Sequence, residues 1–381
     1  MIEIDLVAAE VLLPSGVEDT RLSIAGGVVA DAPVGRAVNL RGYRILPGIV
    51  DVHGDGFERH MAPRRGAMKQ MNDGIVAAEA EIAANGITTA VMAQFVSWEG
   101  GLRGLDFADQ VFGALSATRD KVVTDLRPQL RFETHMLDLY SDLPARIADW
   151  NVGYVVFNDH LPHDRLADGR KPPRLTGQAL KAGRNPDVHF RMLLDLHARG
   201  GEVPAALDTL CAALQKAGVI IGSHDDHTQA QRATWHARGA TVAEFPETPE
   251  AAQAAHDAGD LVVLGSPNVV RGGSHKGNAS ALDLIAMGFC DAIASDYHYP
   301  SPRRAALMLA KSGLMDLAGA WALVSSGPAA VLGLSDRGTL DAGKRADLVI
   351  LDSHDRVAAT LSGGRVSYMS GDIAQRFVAA A

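Results

Sequence analysis

Histidines and acids recur in this sequence directly after short apolar runs. They read His53-Gly54-Asp55, Glu133-Thr134-His135, Asn158-Asp159-His160, His224-Asp225-Asp226-His227 and Asp296-Tyr297-His298. If the runs are β-strands, residues two apart face the same way, so His53 and Asp55 can reach one ion. Imidazole mixed with carboxylate suits zinc, manganese or iron, whereas magnesium and calcium favour oxygen-only sites. A lone histidine at a strand end is more often a hydrogen-bonded structural residue. Asp225 and Asp226 also read as caps of the next helix. The same residue types at several separate strand ends outweigh those readings, and a divalent-metal centre is expected.

A second chemistry-bearing stretch is Gly265-Ser266-Pro267-Asn268-Val269-Val270-Arg271-Gly272-Gly273-Ser274-His275-Lys276-Gly277-Asn278. Read as a loop, it offers backbone amides, hydroxyl, imidazole, ammonium and guanidinium groups suited to phosphate oxygens. No GxxxxGK[ST] pattern leads from it into a helix, so it is not a Walker A loop. Its plainer reading is a surface loop. A basic cluster, Arg59-His60 with Arg64-Arg65, follows the first histidine motif and reads equally as an anion site or a solvated face.

Those residues need a scaffold, and the chain has the material for one. It holds 381 residues, with 47% hydrophobic and 21% charged, enough for a large core and far from disorder. The formal net charge of −9 argues against general binding to nucleic acid or an anionic membrane. Two cysteines, Cys211 and Cys290, supply neither a disulfide framework nor a thiolate zinc site. No apolar run reaches a membrane span and the first residues carry no basic leader, so a cytoplasmic protein is expected.

Eight β-rich apolar runs lie at about 48–53, 87–93, 130–133, 153–157, 218–224, 241–245, 261–265 and 291–296, separated by Ala-rich helical stretches. Near-continuous apolar strands covered by helices require a parallel sheet. Eight such units in a region of this length predict a (β/α)8 TIM-type barrel at 48–337, with a doubly wound open sheet as the competing architecture. In a barrel the C-terminal strand ends, where these histidines and acids stand, are where a site forms. Residues 1–47 and 338–381 read as short strands and turns, neither end being large enough to bury its own sheet. They are expected to join into one small, sandwich-like β domain. The long interval after the fourth run, through Lys171-Pro172-Pro173-Arg174, predicts an insertion over 161–215.

Several segments resemble the amidohydrolase superfamily: Leu46-Pro47-Gly48-Ile49-Val50-Asp51-Val52-His53, the late strand-end Asp296, and Gly343-Lys344-Arg345-Ala346-Asp347-Leu348-Val349. Within it the chain is similar to the phosphonate-metabolism M proteins, the α-D-ribose 1-methylphosphonate 5-triphosphate diphosphatases. That likeness is carried by His53-Gly54-Asp55 with Glu58-Arg59-His60, Ser223-His224-Asp225-Asp226, Ala243-Glu244-Phe245-Pro246, 266–275 and Ser295-Asp296-Tyr297. After the fourth strand the pattern departs: a Pro-Gly-Gln loop is expected behind Asp-His, and Asp159-His160-Leu161-Pro162-His163-Asp164 stands there.

The resemblance implies a barrel with one or two divalent metals, zinc first and manganese or iron as alternatives. It implies His53, Asp55, Glu133, His160, His224 and Asp296 as ligands, with His135 and His227 as substitutes. Asp296 would also be the catalytic proton acceptor. Arg59, Arg271, Gly272, Gly273, Ser274, His275 and Lys276 would hold a small anionic phosphorylated substrate. The implied reaction is hydrolysis of a triphosphate to release diphosphate, in a homodimer. Two other readings stand beside it: hydrolysis of a cyclic amide or amidine C–N bond, which needs no cationic loop, and a non-catalytic metal-dependent subunit of a phosphonate-degrading assembly.

Overall fold

The computed structural model describes residues 1–62, 70–272 and 279–380. Sixteen strands form among them: β1 (Ile4–Leu13), β2 (Gly16–Ala25), β3 (Val28–Ala30), β4 (Ala37–Asn39), β5 (Arg44–Pro47), β6 (Ile49–Gly54), β7 (Ile87–Val96) and β8 (Asp125–Glu133). They continue as β9 (Tyr154–Asn158), β10 (Ile220–His224), β11 (Val242–Glu244), β12 (Leu261–Gly265), β13 (Ala292–Ala294), β14 (Leu348–Leu351), β15 (Val357–Ser362) and β16 (Arg365–Met369). Strands β6 to β13 follow one another in sheet order as in the chain, giving the expected (β/α)8 barrel and excluding the doubly wound order. All ten residues of β7 and all six of β6 are buried, because helices cover a parallel sheet on its outer face and side chains fill the inside. The fourth-strand insertion is helical, with helices His163–Ala167, Leu175–Lys181, Pro186–Ala198 and Val203–Lys216.

The chain divides into two compact units. The first comprises 1–92, 117–127 and 261–381; the second comprises 93–116 and 128–260. Within the first, both chain ends build a mainly antiparallel sheet of order β16-β15-β14-β5-β1-β2-β3, with β4 added parallel to β1. Its core includes Ile4, Leu6, Val11, Ile24, Ile45, Leu348, Ile350 and Leu361. β14 pairs antiparallel with β5 through Leu348–Pro47 and Ile350–Ile45, so the C-terminal segment completes what the N-terminal strands leave open. The same unit closes the barrel's first strand onto its last through a parallel bridge between Gly54 and Asp296. Asp51, fully buried on β6, accepts from the Ser295 amide at 2.9 Å and the Ser295 hydroxyl at 2.5 Å.

The second unit carries β9 and β10 in parallel register, Ile220 to Tyr154 through Ser223 to Phe157, and β10 with β11 from Gly222–Val242 to His224–Glu244. Arg232 is wholly buried here, donating to the Ser223 hydroxyl at 2.6 Å, to the Ala240 carbonyl at 2.6 Å and to Asp226 at 3.2 Å. No helix among the described residues is long and apolar enough to cross a membrane.

In the first unit, Arg337 ties the chain's late segment to the barrel strands. Its guanidinium donates to Thr89 Oγ1 at 2.8 Å and Asp125 Oδ2 at 2.7 Å, and lies 3.9 Å from Asp347 Oδ2. Burial, opposed by the Arg345 and Arg337 charges and the Gly363 amide, pushes the Asp347 carboxyl up to about 6. Removing one partner of such a buried group leaves uncompensated acids, at a cost of about 3–5 kcal/mol. Denaturant unfolding of Arg337→Met is expected to show a loss of that order, and Asp125→Asn in the same chain should recover part of it. An unchanged midpoint would show that these charges do not depend on Arg337.

Candidate metal centre

Local backbone chemistry at the strand ends decides which side chains are available. In the first unit, β6 ends His53-Gly54, and a side chain on Gly54 would fall 2.9 Å from Asp51 Oδ2 and 3.0 Å from Ser295 Oγ. The space exists only for hydrogen, so the His-Gly-Asp spacing follows from the crowded seam between first and last strands. His53 is fully buried. The Asp296 amide donates to the His53 carbonyl at 2.9 Å, and the Asp55 amide to the Asp296 carbonyl at 2.9 Å. Backbone bonds thus hold His53, Asp55 and Asp296 side by side. Asp296 has φ +55°, a left-handed conformation costly for a residue with a Cβ.

Beyond Asp55 the chain turns into the short helix Glu58–Met61. Arg59 pairs with Glu81 and donates to the Tyr297 carbonyl at 3.2 Å, so this guanidinium is already engaged with protein groups. His60 shares the same acid, at 2.6 Å from Glu81 Oε2. The stretch after β12 corrects the loop expectation: Ser266–Arg271 is a helix with Pro267 in its first turn and Gly272 at φ +74° closing it. Ser266 and Val269 are fully buried, so these residues cannot all present themselves to an anion. Arg271 extends from the last turn, donating to Tyr297 Oη at 2.8 Å and Asn268 Oδ1 at 2.6 Å. Gly273, Ser274, His275 and Lys276 lie outside the described residues, as do Arg64 and Arg65.

In the second unit the ends of β8, β9 and β10 converge. Glu133, fully buried, accepts from the His160 amide at 3.1 Å, and its Oε1 lies 2.5 Å from His160 Nδ1. That contact turns the other ring nitrogen, Nε2, to within 3.7 Å of Asp225 Oδ2. His224 closes the group, with Nδ1 3.1 Å from Asp225 Oδ1 and Nε2 accepting from Arg131 at 2.9 Å. Arg131 in turn lies over the Phe95 ring, 3.8 Å from its centroid. Asp225 and Phe245, each directly after its strand, have φ +60° and +53°. The Phe245 ring meets His224 edge-on at 5.0 Å between centroids.

Burial would raise the Asp225 carboxyl, but the charges of and hydrogen bonds to His224 and His160 hold it well below the usual carboxylate range. Burial pushes His224 down to about 4, so it is a neutral imidazole at pH 7. Burial also disfavours the His160 cation, yet the bonds to Asp225 and Glu133 outweigh it and raise this imidazole to about 9.

The donor set fits a first-row divalent cation. Ligand atoms of His160, His224 and Asp225 all lie within 4.8 Å of one another, and the ionised Asp225 is in ligand form. Glu133 occupies the position of an orienting carboxylate, fixing the His160 ring through Nδ1. Asp225 does not cap the following helix as its position suggests; Thr228 does, reciprocally with Gln231. The doubled acid in His224-Asp225-Asp226 was the signal for Asp225 in the donor set. Arg131, hidden in an apolar strand, had none. Of the two substitute histidines, His227 is largely exposed beside Glu247, and His135 belongs to a different group of side chains with Asp159 and His163.

A model of the amidohydrolase family matches residues 276–368. The α-D-ribose 1-methylphosphonate 5-triphosphate diphosphatase of Escherichia coli (strain K12) is 32% identical over 331 residues, covering 84% of this chain and 86% of that one. Among solved structures, N-acetylglucosamine-6-phosphate deacetylase from Pasteurella multocida superposes with a TM-score of 0.63 at 12% identity, over 96% of this chain and 99% of that one. A D-aminoacylase superposes with a TM-score of 0.62 at 12% identity, over 97% of each chain.

The raised pKa of His160 sets a checkable pH dependence for metal-free protein. A histidine whose folded pKa exceeds its unfolded value of 6.5 adds stability below that pH and loses it as pH rises through about 9. NMR titration of the His160 ring should give a midpoint near 9, and Glu133→Gln should lower it by about a unit or more. A wild-type midpoint near 6.5 would contradict the two-carboxylate environment.

Proposed function

The chain belongs to the amidohydrolase family, and on that footing we propose that it is a metal-dependent diphosphatase releasing diphosphate from a phosphonate-bearing ribose 5-triphosphate. Hydrolysis is the general activity of that family; the substrate and the bond cleaved are the proposal. The observation that carries it is the convergence of His160, His224 and Asp225 at the strand ends of a barrel, with Glu133 behind them. His53, Asp55 and Asp296 are proposed as further ligands, their backbones already bonded together. Zinc is the first expectation for these nitrogen and oxygen donors, with manganese or iron as alternatives.

A bound divalent cation supplies Lewis acidity and lowers the pKa of a coordinated water from about 15.7 toward 7. The protein's own groups do the rest. The Asp296 carboxylate takes the proton from the attacking water. Arg271, oriented by Tyr297 and Asn268, offsets charge developing on phosphate oxygens, and Gly272, Gly273, Ser274, His275 and Lys276 are proposed to bind the same substrate. The products are diphosphate and the ribose 5-monophosphate that retains the phosphonate. We place this activity in a cytoplasmic homodimer acting on a small anionic phosphorylated substrate.

A panel of ribose and nucleoside di- and triphosphates, assayed with Zn²⁺, Mn²⁺ and Mg²⁺ and scored by diphosphate released, should show turnover on ribose triphosphates. Hydrolysis of cyclic amides with no diphosphate release would replace this reading with the carbon–nitrogen one. A tightly held metal with no turnover on any substrate would favour a binding subunit. For Asp296→Asn, metal content should stay near normal while turnover falls about 100-fold or more, the range of general-base catalysis. Near-wild-type rates in a metal-replete sample would remove Asp296 from that role.

A further inference from the structure

The fourth-strand insertion brings together chemistry that the proposed reaction leaves unused. Its helices enclose an apolar cluster of Trp98, Leu161, Leu166, Leu175 and Leu193, all buried and all within the second unit. Burial of these side chains fixes the helices His163–Ala167 and Pro186–Ala198 against one another. The second helix starts from Asn185, whose side chain accepts from the Asp187 and Val188 amides. As a result His163 stands at the start of one helix and His197 in the last turn of the other.

The two imidazoles meet at 2.9 Å between their Nδ1 atoms. Hydrogen bonding at that distance requires one nitrogen to carry a proton and the other a lone pair. The opposite edge of His163, Nε2, lies 3.0 and 3.1 Å from the two carboxylate oxygens of Asp159, the residue that follows β9. On the other side of that carboxylate is His135, two residues beyond the end of β8 and only 4% exposed. Its Nδ1 is 3.5 Å from Asp159 Oδ1, with the Thr134 hydroxyl 3.2 Å away. The rings of His135 and His163 are 4.9 Å apart between centroids.

We propose that His135, Asp159 and His163 form a second divalent-metal site, with His197 as the residue that positions His163. Metal–donor bonds of about 2.0–2.2 Å at tetrahedral or octahedral angles put neighbouring donors about 3–3.5 Å apart. The Asp159 contacts to His163 and His135 match that spacing, and one ligand atom from each residue lies within 4.8 Å of the others. With Nε2 of His163 on the metal, its Nδ1–H donates to His197, the outer hydrogen bond that metal-bound imidazoles need to fix tautomer and ring angle. Two imidazoles and one carboxylate select zinc, cobalt or nickel over magnesium and calcium. None of these donors belongs to the His160, His224 and Asp225 group. Neither does the site depend on the substrate assigned above.

The test compares metal content and Co²⁺ absorption of the intact protein with His163→Ala, His135→Gln and His160→Ala variants. Each is stripped with chelator, reloaded with Zn²⁺ or Co²⁺ and desalted. His163 is half-exposed, so its replacement should fold; thermal unfolding of each variant checks this, and His135→Gln supplies an independent disruption of the same site. Wild-type protein should hold one ion more per chain than His163→Ala and His135→Gln, and His160→Ala should keep that extra ion with its visible Co²⁺ band. His197→Ala should weaken the extra ion's binding about 10- to 100-fold without abolishing it. Equal metal content and identical Co²⁺ spectra in wild type, His163→Ala and His135→Gln would overturn the site. Metal lost from His160→Ala but not from those two would do the same while leaving the proposed hydrolase intact. Metal lost from those two but not from His160→Ala would support this site and count against the ligand role of His160.

Discussion

A carboxylate fully withdrawn from water must find partners, and Glu133 at the end of β8 finds them just beyond the neighbouring strand β9. Its two oxygens take the backbone amide and the ring of His160, and that pairing decides where the His160 Nε2 points. The rest of the second unit's polar group assembles outward from this contact. Asp225 meets the ring His160 presents, His224 meets Asp225, and Arg131 fills in behind His224 against Phe95. The first unit solves the same problem differently: Asp51 is satisfied by Ser295, and that bond closes the first strand against the last.

The barrel was readable because its strands must be apolar on both faces. β9 and β12 appear in the sequence as apolar runs, Tyr154-Val155-Val156-Phe157 and Leu261-Val262-Val263-Leu264, and β6 and β7 as mainly apolar ones. β8 is the instructive partial miss: it begins at Asp125, five residues before the apolar run, because Asp125-Leu126-Arg127-Pro128 is only half-buried and extends past the core. The terminal sheet was legible from the mutual insufficiency of its two ends. Its parallel contacts of β1 with β4 and β5 were not, since nothing in local alternation distinguishes them from hairpins.

Candidate ligands were legible wherever a histidine or acid stood at the last residue of such a run, as at His53, Glu133 and His224. What escaped were groups whose role comes from the neighbouring strand. Arg131 reads as a stray charge in its strand, and the stacking of Phe95 and the nitrogen of His224 give it a role. The helix at Ser266–Arg271 was masked by its composition: Ser-Pro-Asn reads as a turn, yet proline in a first turn with glycine after the last is also how a short helix begins and ends.

Asp225, Phe245 and Asp296 are non-glycine residues held at positive φ one or two residues beyond their strands. Such conformers cost of order 1–3 kcal/mol each and persist only where the surroundings over-determine them. The folded chain therefore keeps a reserve of unspent tension at the barrel mouth, supplied by the well-packed strands beneath. Engineering that hunts for thermal robustness will be drawn to these three positions, where glycine would relax the main chain. It would also remove the two carboxylates and the ring beside His224, so the gain in melting temperature would come out of the chemistry itself.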